Sequence, residues 1–106
     1  MIKLNSIEEF DQAVVNDEKI FVLKHSTTCP ISAAAYTAYE KFVEQHQEIP
    51  AYFLTVQDTR PLSNYIAEKY EIKHESPQAI LFSKNDVSWH ASHWKITNKS
   101  LTETLS

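Results

Sequence analysis

The 106-residue chain contains no glycine. The phosphate-cradling loops of nucleotide-binding proteins and the dinucleotide fingerprint both need glycine for close backbone approach, so both are excluded. Positions that demand a positive φ must fall to other residues. Asn16-Asp17 and Asn85-Asp86 are the expected sites, because short polar side chains tolerate the left-handed region best. Cysteine is nearly absent too: Cys29 is alone. A single thiol forms no internal disulfide, which points to a reducing compartment where thiols are reactive or buried. Long apolar runs are missing, and none approaches the roughly 18 residues of a membrane span. The start, Met1-Ile2-Lys3-Leu4-Asn5, lacks the basic, apolar and small-residue regions of a signal peptide. A cytoplasmic protein with no membrane partner is expected. Positive charge is in deficit as well, with a net charge of -4. An acidic chain is a poor partner for a phosphate backbone, so nucleic acid is not expected to bind.

What is present reads as one domain, residues 1–106, of alternating helices and strands. Ser6 followed by Glu9 is a capping box, and Ile7, Phe10, Ala13 and Val14 recur at helical spacing, giving a first helix over about 7–15. Lys19-Ile20-Phe21-Val22-Leu23-Lys24 is rich in β-branched and aromatic residues without alternation, the mark of a strand covered on both faces. Pro30 suits a first helical position, and Ala35, Tyr39, Phe42 and Val43 form the stripe of a long second helix. Ala51–Val56 repeats the buried-strand composition. Pro61 opens a helix carrying Leu62, Tyr65, Ile66 and Tyr70. Ala79–Phe82 and Val87–Ala91, joined by turn-prone Lys84-Asn85-Asp86, read as an antiparallel hairpin. Leu101 and Leu105, four apart, support a short closing helix. After the first helix the order is β-α-β-α-β-β-α, an α/β class with a central mixed sheet flanked by helices.

Cys29 lies between the first buried strand and the second helix, in His25-Ser26-Thr27-Thr28-Cys29-Pro30-Ile31-Ser32. As the residue capping that helix it faces free N–H groups and the positive end of the helix dipole, both of which favour thiolate over thiol. Cys29 is the candidate nucleophile. Ser32, one turn on, is placed to donate a hydrogen bond to the thiolate, although serine also suits helix starts for its own sake. Ser32 cannot close an intramolecular disulfide, so a second sulfur must come from another molecule. Lys24, His25, Thr27 and Thr28 are near in sequence, and which of them faces the sulfur is open. Tyr36 is a candidate to line a substrate groove, or a half-exposed helix tyrosine. His90 and His93, three apart on a strand, would point to opposite faces, which disfavours a metal site. Trp89 and Trp94 read as core or edge packing.

With Thr28-Cys29-Pro30-Ile31-Ser32 closing the first core strand and Ser76-Pro77 opening the hairpin, the whole chain resembles the thioredoxin-like superfamily. The Cys-Pro-Ile-Ser motif in a short chain with one cysteine resembles the monothiol bacilliredoxins, the YtxJ-type group of thiol oxidoreductases. The resemblance implies a thioredoxin-like fold with Cys29 as the catalytic residue. Thr28, Pro30, Ile31 and Ser32 would support it. Pro77 would be a cis-proline facing Cys29, and Ser76 would offer its backbone N–H and C=O to substrate or thiol. It implies reduction of mixed disulfides between proteins and bacillithiol, with bacillithiol as thiol co-substrate, no tightly bound cofactor, and S-bacillithiolated proteins as partners of a monomer. A non-catalytic thioredoxin-like binding module and an iron–sulfur carrier are the alternatives.

Overall fold

A computed structural model describes residues 1–105. The elements are β1 (Ile2–Lys3), α1 (Ile7–Asn16), β2 (Lys19–His25), α2 (Pro30–Gln45), β3 (Ala51–Thr55), α3 (Arg60–Lys69), β4 (Gln78–Ser83), β5 (Asp86–Ser92), a 3₁₀ turn at His93–Lys95 and α4 (Asn98–Glu103). The five strands form one mixed sheet in the order β1-β3-β2-β4-β5. β2 runs parallel to β3 and antiparallel to β4, so the hairpin lies on the far side of β2 from the parallel pair. The expected α/β class, a central mixed sheet flanked by helices, is what the chain adopts.

The period of two along β2 divides the core. Ile20 and Val22 pack with Phe10, Ala13 and Val14 of α1 and Leu62 and Ile66 of α3. Phe21 and Leu23 pack on the other face with Ala35, Tyr39 and Phe42 of α2 and Leu101 of α4. With side chains alternating across the sheet, a strand buried on both sides has no polar face, which is why β2 shows no alternation. Phe10 stands edge-on to Phe82 at 5.3 Å between ring centroids and Phe21 edge-on to Phe42 at 5.2 Å. Both pairs take the arrangement the ring quadrupole favours.

Several boundaries differ from the sequence reading. β1 is an added edge strand, two residues long and exposed, that the pattern of Met1–Asn5 does not announce. The Ser6 side chain accepts from the Glu9 N–H as expected, but the Glu9 carboxylate takes the Asn5 N–H instead of closing the box on Ser6. Leu105 lies beyond α4, so only Leu101 anchors that helix in the core. Positive φ occurs at Glu71, Lys84, Asn85 and His93. Only Asn85 coincides with the expected positions; Asn16 is the last residue of α1 and Asp17 is extended. The Lys84-Asn85 pair reflects the hairpin, whose tight turn needs two left-handed residues in succession.

Candidate active site

The strand registers bring the ends of four strands together. His25 at the end of β2 is level with Thr55 at the end of β3, and Gln78 at the start of β4 is level with Ser92 at the end of β5. This edge carries the 26–29 loop, the residues before β4 and the turn after β5. Cys29 is the N-cap residue of α2, extended at φ -108 and ψ 124, with Pro30 directly after it. Proline starts a helix at no hydrogen-bond cost because its missing N–H would have no partner there. It also leaves the N–H groups of the next residues free to face the sulfur.

Those groups set the acidity of Cys29. The Ser32 N–H acts most strongly and the Ile31 N–H next, together pulling the thiol below its ordinary range against slight desolvation. The Ser32 hydroxyl contributes in the same direction, less than either N–H. Ser32 Oγ is buried and has no conventional partner. With nothing else to satisfy it, the sulfur is its available acceptor. The first turn of α2 holds no acidic residue to oppose the thiolate. Cys29 remains partly exposed, so a disulfide can reach it from solvent.

Ser32→Ala is therefore expected to slow thiol exchange only a few-fold, because the backbone donors stay in place. The same change removes a buried hydroxyl with no oxygen or nitrogen partner, so unfolding should show stability unchanged or slightly raised. A loss approaching that of a cysteine substitution would place the essential donor in the hydroxyl instead.

The neighbours sort themselves by strand parity. Lys24 shares the face of Ile20 and Val22 and lies under α3, where its Nζ donates to the Ser63 carbonyl at 3.0 Å and meets His74 Nδ1 at 3.2 Å. It is wholly buried and committed to those partners. His25 shares the other face and packs its ring on Tyr36 at 4.8 Å between centroids. Burial pushes its pKa down, with the Ser32 carbonyl opposing in part. Tyr36 in turn packs edge-on to Phe53, so it serves the core beside the site.

A residue that the sequence reading passed over holds the loop. Gln57, just after β3, donates through Nε2 to Ser26 Oγ at 2.7 Å and Thr28 Oγ1 at 3.3 Å, and its Oε1 accepts from the Thr27 N–H at 3.4 Å. The signal was available in principle: a side-chain amide immediately after a strand parallel to β2 reaches the loop that leaves β2 at the same end. Thr28 thus supports the loop leading into Cys29.

The Ser76–Pro77 peptide bond is cis, and Pro77 is buried. Its carbonyl accepts the His93 N–H at 3.0 Å. Neither the N–H nor the C=O of Ser76 has a backbone partner among the described residues. His93 does not lie on β5 as the sequence reading had it, but in the turn that follows, at φ 55. Trp89 packs against the α2-side core as expected. Trp94 does not: it is 70% exposed, because the left-handed turn at His93 swings it off the strand before Ile96 returns to the core.

No helix among the described residues is long and apolar enough to cross a membrane. A solved structure described as a candidate oxidoreductase with a thioredoxin fold is 45% identical, with a TM-score of 0.93 over 99% of this chain and 93% of that one. The thioredoxin of Fasciola hepatica shares 15% identity at a TM-score of 0.80, covering 99% and 96% of the two chains. Oxidised thioredoxin of Plasmodium falciparum shares 14% at 0.79, covering 99% and 94%; at such identities these two speak for the fold alone. The family profile described as monothiol bacilliredoxin BrxC matches residues 2–101. Together with a lone, acidified cysteine at a helix N-terminus, that match makes the chain a thiol oxidoreductase of the monothiol bacilliredoxin family.

Proposed function

We propose that the protein removes bacillithiol from S-bacillithiolated proteins in the cytoplasm, acting as a monomer with bacillithiol as its thiol co-substrate. The observation that carries this reading is the pairing of an acidified, accessible Cys29 with the absence of any second thiol in the chain. The thiolate attacks the bacillithiol sulfur of the mixed disulfide. The bond to the protein breaks, its sulfur leaves with the electron pair and takes up a proton, and Cys29 becomes disulfide-bonded to bacillithiol. A dithiol enzyme would resolve that adduct internally, but Ser32 has no sulfur to offer. A second bacillithiol thiolate therefore attacks the adduct, leaving as bacillithiol disulfide and restoring Cys29. Pro30 and Ile31 shape the helix start, Thr28 steadies the loop, and Ser76 and Pro77 border the groove in which the substrate disulfide lies.

Intact mass spectrometry of the reduced protein mixed with a bacillithiolated test protein, beside the same mixture with a glutathionylated one, tests this. The expected result is a bacillithiol adduct on Cys29 and an unmodified test protein. Transfer from the glutathione adduct alone would retain thiol exchange and discard bacillithiol as the partner. Transfer from neither would overturn the reading in favour of a binding module.

A further inference from the structure

Trp94 is the one large aromatic that the fold leaves in solvent among the described residues, and the backbone on both sides of it is held. On one side the His93 N–H is bonded to the Pro77 carbonyl, and on the other Ile96 is buried, its N–H closing the turn on the His93 carbonyl at 3.2 Å. The backbone that carries Trp94 is thus tied to the same segment that carries Ser76. Ser76 presents a backbone N–H and C=O without a backbone partner among the described residues, the requirement for pairing with an added extended chain. Beside this turn lies an open cavity of about 250 Å³ whose walls include Glu75, His90, Ser92, His93 and Lys95. His93 holds a left-handed conformation without being glycine, and that conformation is what turns Trp94 outward at this place. A side chain two positions along a strand paired at Ser76 falls on the same face, at the spacing that reaches a neighbouring aromatic.

We infer that Trp94 is a specificity-determining residue of the thiol-exchange reaction, packing against an apolar side chain in the extended segment of the protein substrate that carries the mixed disulfide. The inference rests on the function proposed above and adds to it the recognition of the protein half of the disulfide. The small thiol half meets Cys29 and does not touch the indole. Trp94 touches the substrate segment and takes no part in bond exchange.

Two measurements test this. Steady-state kinetics of Trp94→Ala should show KM for a bacillithiolated protein raised about tenfold with kcat within twofold of wild type, the effect of losing one well-packed aromatic contact. Exchange with bacillithiol disulfide, which has no protein half, should be unchanged, and Trp94→Phe should restore most of the KM. Equal losses on both substrates, or no change on either, would overturn the inference. Docking is read without transfer in a Trp89→Phe, Cys29→Ala protein, where Trp94 is the sole tryptophan. Its emission should shift blue with a tryptophan-free bacillithiolated peptide bearing leucine two residues from the cysteine, and less with serine there. An unshifted spectrum with both peptides overturns the inference. If wild type transfers no bacillithiol, the function proposed above fails, while this titration still decides the docking of the segment.

Discussion

Cys29→Ala is expected to abolish transfer: the rate of bacillithiol removal falls to that of buffer without protein, and no adduct mass is seen. No other side chain in the chain carries sulfur that can accept the bacillithiol, so the loss is complete rather than partial. The wild-type thiol should show a matching pH profile. The Ser32 and Ile31 N–H groups favour the thiolate and lower the pKa, so the rate of Cys29 alkylation should reach its half-maximum at a lower pH in the folded protein than in urea, where those donors disperse. The direction follows from linkage, since a group stabilised in its charged form ionises earlier. Ser32→Ala should keep most of that displacement. Coincident profiles in the folded and unfolded protein would remove the physical basis for a reactive cysteine, and transfer surviving Cys29→Ala would remove the mechanism.

Lys24→Met is expected to stabilise the fold at pH 7. Lys24 is fully buried with no carboxylate against it, and desolvation lowers its pKa from 10.5 to about 8. Its charge faces His74, itself lowered by burial and by the nearby charges of Lys24 and Arg60, with Glu75 opposing. At pH 7 the folded chain therefore holds a protonated amine where a neutral one is favoured, at a cost on the order of 3 kcal/mol. The sign is fixed by proton counting. Between about pH 8 and 10.5 the unfolded chain binds more protons at this group than the folded one, so stability rises across that window; below it the full penalty applies. Methionine is similar in volume and carries no charge. It leaves the Ser63 carbonyl in α3 and His74 with Ser63 Oγ as its remaining neighbour at 3.1 Å. Allowing for those lost hydrogen bonds, a gain of about 1–3 kcal/mol at pH 7 is expected. Urea unfolding at pH 7 and pH 9.5 measures it: the wild type should gain stability at the higher pH more than Lys24→Met does. Parallel responses in the two proteins would mean that the amine is solvated or already neutral in the fold.

Buried lysine explains how far a local pattern carries. In the sequence Lys24 closes a strand beside the reactive segment and stands among the cations available to Cys29. In the structure it lies on the opposite face of the sheet, because alternation assigns residue 24 to the side of α3 and residue 25 to the side of α2. Parity could have been counted from the sequence, but which face held the helix that begins at Cys29 could not. Trp94 teaches the same lesson from the surface. A hydrophobic residue four places beyond His90 reads as strand packing until the chain is seen to leave the sheet at Ser92 through a left-handed residue. Nothing in the identity of His93 announces that conformation.

By itself the sequence determined what depends on residues near one another in the chain. The two strands without alternation, the helix opened by Pro30, the hairpin around Asn85 and the placing of Cys29 at a helix N-terminus all follow from local propensity and burial period. So does the monothiol character, since a chain with one cysteine has no second thiol in any conformation. Only the tertiary structure decided which distant groups meet at the site. Gln57 reaches the 26–28 loop because β3 lies parallel to β2 and ends at its level. Ser76 and Trp94 share one edge because the hairpin returns antiparallel. Strand pairing and register are long-range choices, set by how two apolar faces are covered together, and no short window of sequence contains both partners.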